Sequence, residues 1–397
     1  MTPRPFVVVV ARGLPAADSP LLGRFEIDQA LALQQAGCHV VVAVLDLRSP
    51  RRRRPGLLTP WRVRHSTFEG LPVARLDVGL GALPARVFGP LARRAWVRLY
   101  EAIVDHHGRP EVVHAHFTRW AAAVASARMS PRPLVVVTEH SSRLRPGQVP
   151  DDDRALAAHA YRASQASGFR GADRVLAVSS TLAEVLRTEF GVRATVVPDL
   201  VDVDAFPLRE PATPRDHGSA NPRGAALVTV GNLVPRKGMA RLVTAFATAF
   251  PDGEETLTIV GDGPERARLE AMVAELGLGD RIILAGPLDR AAVAATFARS
   301  DGFVLFSEYE TFGVVFVEAM ATGLPVLATH CGGPEDYVTD DVGMFTGTTP
   351  ADDVAALKTF LRSLPTFDPA VIGAVARVRY SPSAVATRLL EVYGSTS

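Results

Sequence analysis

A chain of 397 residues is longer than one hydrophobic core usually serves, so its length implies two domains of roughly 200 residues each. With 47% hydrophobic and 21% charged residues, the composition excludes a disordered or fibrous chain, and two distant cysteines, Cys38 and Cys331, make neither a disulfide framework nor a zinc motif. The net charge of +1 conceals opposed halves: of 43 basic and 42 acidic residues, 27 and 19 fall before residue 206, about +8 followed by about −7, so only the first half should attract anions.

The chain opens on Phe6 to Val10, an apolar run too short for a secretory signal and better suited to the buried first strand of a parallel sheet. Further apolar runs follow at Val40 to Leu45, Val112 to Ala115, Leu134 to Val137 and Val175 to Val178, with helical stretches between them. Strands alternating with helices imply a parallel α/β sheet. After a polar stretch from Pro211 to Arg223 the alternation restarts at Leu227 to Val230, Leu257 to Val260, Ile282 to Ala285, Gly302 to Phe306 and Val326 to Ala328. The predicted architecture is two doubly wound domains, 1–205 and 206–380, with ligands expected in a cleft beyond the carboxyl ends of facing strands. No run reaches the roughly 18 apolar residues of a spanning helix, and a cytoplasmic location fits the reduced cysteines.

Two segments of the second half carry chemistry. In Thr229-Val230-Gly231-Asn232-Leu233-Val234-Pro235-Arg236-Lys237-Gly238 a strand runs into a glycine turn, two cations and a helix, the composition of a phosphate site or of a solvated basic turn. Arg236 and Lys237 would neutralise a pyrophosphate and its growing charge as a leaving group. In Ser307 to Met320 a strand ends, a glycine loop follows and a helix starts near Phe312, so the amides of Thr311 to Val314 suit a phosphate, with Glu310 at their mouth. Glu318, among apolar neighbours, is suited to the vicinal hydroxyls of a ribose or to a structural arginine or amide partner.

These residues resemble the retaining glycosyltransferase family 4, which has a GT-B fold and two glutamates separated by seven residues, the spacing of Glu310 and Glu318. The resemblance extends to Gly23, Gly37, His114-Ala115-His116, Val197-Pro198 through Phe206, Val260 to Pro264, Cys331 to Glu335 and a last helix near Ser383 to Tyr393. The resemblance implies transfer of a hexose-like sugar from a UDP- or GDP-type donor to an acceptor hydroxyl, with retention, without a metal and without a further cofactor. It assigns the ribose to Glu318, a sugar hydroxyl to Glu310, the sugar and distal phosphate to the amides of Thr311, Phe312 and Gly313, and the pyrophosphate to Arg236 and Lys237 at the Gly231 turn. Gly23 would approach the phosphates, His116 would be catalytic beside donor sugar and acceptor, and Leu284 to Gly286 would flank the base. Residues 381–397 would form a helix crossing back to the first domain. Asn232 stands where the family usually has Arg, and Asp199-Leu200 where it has Asn-Gly, a change expected to affect the crossover turn.

Other signals are weaker. His114 and His116 share a strand face without a convincing third metal ligand, and Asp202-Val203-Asp204, in the interdomain crossing, is discounted as a metal motif. Arg51 to Arg54 with Trp61, Arg62 and Arg64, followed by an arginine-rich segment Ala85 to Tyr100, suits either an anionic membrane surface or a solvated loop and an amphipathic helix. The expected partners are a nucleotide sugar and a glycan, lipid-linked or small-molecule acceptor, in envelope polysaccharide or glycolipid synthesis, with possible peripheral contact to the inner membrane face; no nucleic-acid module is recognised. The rival readings are a sugar-nucleotide epimerase and a non-catalytic nucleotide-sugar or lipid-binding protein.

Overall fold

The computed structural model describes residues 4–16, 22–47, 61–78, 85–141, 166–209 and 224–394. The chain forms two units, one of residues 1–200 with 382–397 and one of residues 201–381. Each is a Rossmann-like α/β domain. The polar connection from Pro211 to Arg223 lies outside the described residues.

The first unit holds β1 (Phe6–Ala11), β2 (His39–Leu47), β3 (Val63–Phe68), β4 (Leu71–Val78), β5 (Val112–His116), β6 (Leu134–Glu139), β7 (Arg174–Ala177) and β8 (Thr195–Val196), in the order β3-β4-β2-β1-β5-β6-β7-β8. Its helices are α1 (Arg24–Gln35), α2 (Ala85–His107), α3 (Thr118–Ala125), α4 (166–171) and α5 (Ser180–Phe190). Every residue of β1 is buried, as expected for a central strand covered on both faces, and this is why it reads as an unbroken apolar run. Helix α1 places Ile27, Ala30 and Leu33 at helical spacing against β1 and β2. Helix α12 (Pro382–Gly394) adds Val385, Ala386 and Leu389 to that same core.

The sheet departs from the all-parallel expectation at the hairpin β3–β4, which is antiparallel. Its turn residues Glu69 and Gly70 have φ of 49° and 81°, the left-handed pair that suits the twist of a two-residue hairpin. Edge strand β3 is largely exposed and has no apolar run to announce it. Arg64, expected in a basic loop, is on this strand and pairs with Asp77.

The second unit holds β9 (Ala226–Val230), β10 (Thr256–Val260), β11 (Ile282–Gly286), β12 (Gly302–Leu305), β13 (Val326–Ala328) and β14 (Gly343–Phe345), all parallel, in the order β11-β10-β9-β12-β13-β14. Helices α6 (Met239–Ala249), α7 (Arg266–Glu275), α8 (Arg290–Arg299), α9 (Val314–Ala321), α10 (Pro350–Ser363) and α11 (Pro369–Tyr380) complete it. Strand order reverses between β9 and β12, so the loops that leave these two strands diverge to opposite faces and open a crevice at their carboxyl ends. The chain enters this unit beside its exit, where Val201 N donates to Tyr380 O at 2.8 Å.

Candidate active site

The crevice between β9 and β12 is where the chemistry-bearing residues of the second unit meet. After β9 the backbone turns at Gly231, whose N donates to Val260 O at 3.0 Å, while Leu233 N donates to Asp262 O at 2.9 Å. These contacts join the loops after β9 and β10, and glycine makes them possible: a Cβ on Gly261 would lie 2.0 Å from Gly231 O, and one on Gly263 2.5 Å from Leu233 O. A 3-10 turn, Pro235–Lys237, then ends on Gly238, which has φ of 65° and is pressed so closely to β12 that a Cβ would sit 2.0 Å from Phe306 O.

That approach carries Lys237 to the residues that follow β12. Lys237 Nζ lies 2.5 Å from Glu310 Oε1, and Ser307 Oγ donates to the same oxygen at 2.6 Å. The carboxylate is buried, and its backbone is also anchored, with Glu310 N donating to Cys331 O at 2.7 Å and Gly333 N donating to Glu310 O at 2.8 Å. Glu308 N donates to Arg236 O at 2.8 Å, and Arg236 Nη1 approaches Tyr309 O at 3.4 Å, so the half-buried guanidinium shares this wall. Burial, ahead of the Glu310 charge, pushes the neighbouring Cys331 thiol up to about 12, leaving it a protonated filler rather than a nucleophile.

Helix α9 starts at Val314, two residues later than Phe312, because Gly313 serves as its N-cap at φ 84°. Thr311 and Phe312 therefore lie in the preceding loop, and the first-turn amides lacking intrahelical acceptors begin with Val314. The loop is held from behind: Tyr337 Oη donates to Phe312 O at 2.7 Å. Glu318 is half-buried on α9, whose Phe316, Val317, Ala319 and Met320 are buried. Leu284 and Gly286 lie on edge strand β11, and Gly286 O accepts from Gly261 N at 2.9 Å. The ends of β9, β10 and β11 are thus linked through Gly231, Gly261 and Gly286.

In the first unit Gly23 is the N-cap of α1 at φ 74°, where a Cβ would meet Gly13 O at 2.1 Å. His116 lies at the end of β5, fully buried, in a row of polar side chains. His114 Nδ1 lies 2.7 Å from Tyr393 Oη and 3.0 Å from Gln29 Nε2, its Nε2 is 2.6 Å from Thr138 Oγ1, and Gln29 Nε2 is 3.2 Å from His116 Nε2. His116 Nδ1 in turn lies 2.9 Å from His140 Nε2, and His140 Nδ1 is 2.9 Å from Asp199 Oδ1, an ion-pair contact without hydrogen-bond alignment. Burial, then the His140 charge, lowers the His114 pKa to about 3. Burial and the charges of His114, His140 and Arg12 likewise hold His116 well below the ordinary range. For His140 burial acts in the same direction but is outweighed by Asp199, Glu26 and Glu139, so its pKa is raised. The register of β5 on β6, with His116 opposite Thr138, brings this row together. Asp199, expected to shape only the crossover turn, is its terminus.

The model for glycosyl transferases group 1 matches residues 214–364, and that for glycosyltransferase family 4 matches residues 23–205. A 2-deoxystreptamine glucosyltransferase from Streptomyces kanamyceticus is 32% identical over 296 residues, 68% of this chain and 76% of that protein. The chain belongs to glycosyltransferase family 4. As a family 4 glycosyltransferase it moves a sugar from a sugar donor. Its fold is that of sucrose-phosphate synthase from Thermosynechococcus elongatus, with a TM-score of 0.73 at 23% identity over 98% of both chains. The Anabaena HepE structure in complex with UDP and glucose has the same fold, with a TM-score of 0.68 at 20% identity over 99% of this chain and 100% of that one.

Asp202 of the Asp-x-Asp pairs with Arg290 at 3.1 Å. Arg51 to Arg54 lie outside the described residues. Helix α2 packs on β4 and β2 with Trp96 buried, while Arg93, Arg94 and Arg98 are exposed. No described helix is long and apolar enough to cross a membrane. The site residues that sequence reasoning missed are Ser307, Gln29, Thr138 and Tyr393. Ser307 stands at a strand end beside Glu310, but Thr138, Gln29 and Tyr393 have no local signal and are brought in by the register of β6 on β5, by α1 and by α12.

Proposed function

We propose that this transferase moves a hexose-like sugar from a nucleoside diphosphate donor to an acceptor hydroxyl with retention of anomeric configuration and without a metal. The observation that carries the reading is the 2.5 Å contact of Lys237 with Glu310 at the β9/β12 switch point. With Oε1 occupied by Lys237 and Ser307, the other oxygen of Glu310 accepts a donor-sugar hydroxyl. Lys237, Arg236 and the first-turn amides of α9 hold the pyrophosphate and stabilise the charge it gains as it leaves. The leaving phosphate takes the acceptor proton as the new glycosidic bond forms.

Glu318 receives the ribose hydroxyls, Leu284 and Gly286 flank the base, and Gly23 allows a phosphate near the start of α1. His116 is assigned a positioning role rather than proton transfer, because both of its ring nitrogens already face Gln29 and His140. The acceptor belongs to envelope polysaccharide or glycolipid synthesis. The likeness to a 2-deoxystreptamine glucosyltransferase supports a second reading, a small cyclitol acceptor.

Thermal melts with UDP, GDP, ADP and TDP and their sugar conjugates, in chelator and then with magnesium, test the donor site. One base should stabilise the chain in chelator, by about 2.7 kcal/mol at a ligand concentration near 100 times Kd. Lys237→Ala should keep the fold but lower kcat by about 10²–10³-fold with the donor so identified. No shift with any nucleotide refutes the donor site. A shift without transfer to glycan, lipid or cyclitol acceptors favours a binding protein, and an altered donor sugar without acceptor favours an epimerase. Coupling constants of the product report the anomeric outcome.

A further inference from the structure

We propose that His65, His106 and His107 form a binding site for a divalent transition-metal ion of the zinc type, which ties the β3–β4 hairpin to the end of α2. The three side chains each offer a ring nitrogen, and these nitrogens all lie within 4.8 Å of one another. Among the described residues this is the one group of three histidine, cysteine or carboxylate ligands brought so close. His65 and His106 rings are 4.4 Å apart, His106 and His107 4.6 Å, and His65 and His107 5.8 Å. A tetrahedral ion with bonds of about 2.0–2.1 Å needs its ligand atoms about 3.4 Å apart, so the group must close in slightly on an ion.

The helix end also favours a cation here. His106 and His107 occupy the last turn of α2, whose terminal carbonyls carry partial negative charge, and Gly108 at φ 91° closes the helix behind them. His65 and His106 are exposed, which gives an ion direct entry. His39, stacked on Phe6 at 4.2 Å, stands 6.1 Å from His107 and bounds the group on the side of β2. Three imidazoles leave a fourth position for water.

The consequence is structural. Among the described residues strand β3 pairs only with β4, at the edge of its sheet, and this group links it to the C-terminus of a 23-residue helix. A bound ion therefore clamps the hairpin, and the inference stands whether or not the donor reading holds.

Isothermal titration of the chelator-stripped full chain with zinc chloride tests it, with hydrogen exchange over residues 63–78 as a second readout. One ion should bind at this site, slow exchange in the hairpin, and give tetrahedral visible absorption when cobalt replaces zinc. His65→Ala and His106→Ala should each weaken binding by about tenfold or more, and His330→Ala, at an exposed histidine of the second unit, should leave it unchanged. His65→Gln provides a polar replacement of similar size should the alanine variant melt early. Zinc affinity unaffected by His65→Gln and His106→Ala, or exchange in the hairpin unchanged by zinc, overturns the proposal.

Discussion

At the scale of single residues, the buried histidines separate local chemistry from global stability. His114 is neutral in the folded chain, with a pKa near 3, and ordinary once unfolded, near 6.5. Between those values the unfolded state binds more protons, so stability rises with pH through the window and is lost on acidification. His140 acts in the opposite sense: its raised folded pKa gives stability that is complete below its ordinary value and lost as pH rises through the folded value. Two lowered imidazoles, His114 and His116, outnumber the one raised. The thermal midpoint should therefore fall between pH 7 and pH 5, with up to about 1.4 kcal/mol per pH unit from each lowered group. In His114→Gln the same pH series should show a shallower slope; an unchanged slope would mean that His114 does not carry it.

At the scale of elements, the donor-site geometry depends on loops that glycine allows to touch. The short link from β9 through Gly231 to Gly238 aims Lys237 at Glu310 only while Gly238 keeps its left-handed backbone against Phe306 O. Gly238→Ala adds a Cβ where a carbonyl oxygen already sits, so a cost of about 1–3 kcal/mol is expected for the strained backbone. Activity should fall more than stability accounts for, because the displaced turn moves Lys237. Activity matching wild type at a temperature where both are folded would show that the turn does not aim the lysine. The two chemical segments could be read from sequence because glycines, cations and carboxylates cluster within about ten residues each. Helix α9 starts two residues after Phe312 because Gly313 is at once a loop residue and a cap, and only its φ of 84° settles which.

At the scale of the whole molecule, the chain's last helix belongs to its first domain. Leu389 of α12 is fully buried in the core formed by β1, β2 and α1, more than 340 residues earlier in the chain. Leu389→Ala should cost about 2–5 kcal/mol, and calorimetry should show the loss in the transition of the first unit alone. A shift of the second unit's transition instead would place α12 wrongly. The same helix delivers Tyr393 to His114, so a truncation there removes a partner from the buried histidine row as well as apolar surface.

The sequence by itself determined the two alternating α/β units, their central strands and the two segments that carry the donor chemistry. Strands such as Phe6 to Val10 are buried on both faces and must therefore be written as continuous apolar runs, and a turn that admits a phosphate must be written with glycine beside cations. Only the tertiary structure decided that Lys237 meets Glu310 across the switch point, that Gln29 and Tyr393 complete the histidine row, and that His65 joins His106 and His107. These contacts span 73 residues for Lys237 and Glu310 and 279 for His114 and Tyr393. They are set by strand order and helix packing, which local composition does not encode, because any polar side chain of suitable reach at those positions would read the same in sequence.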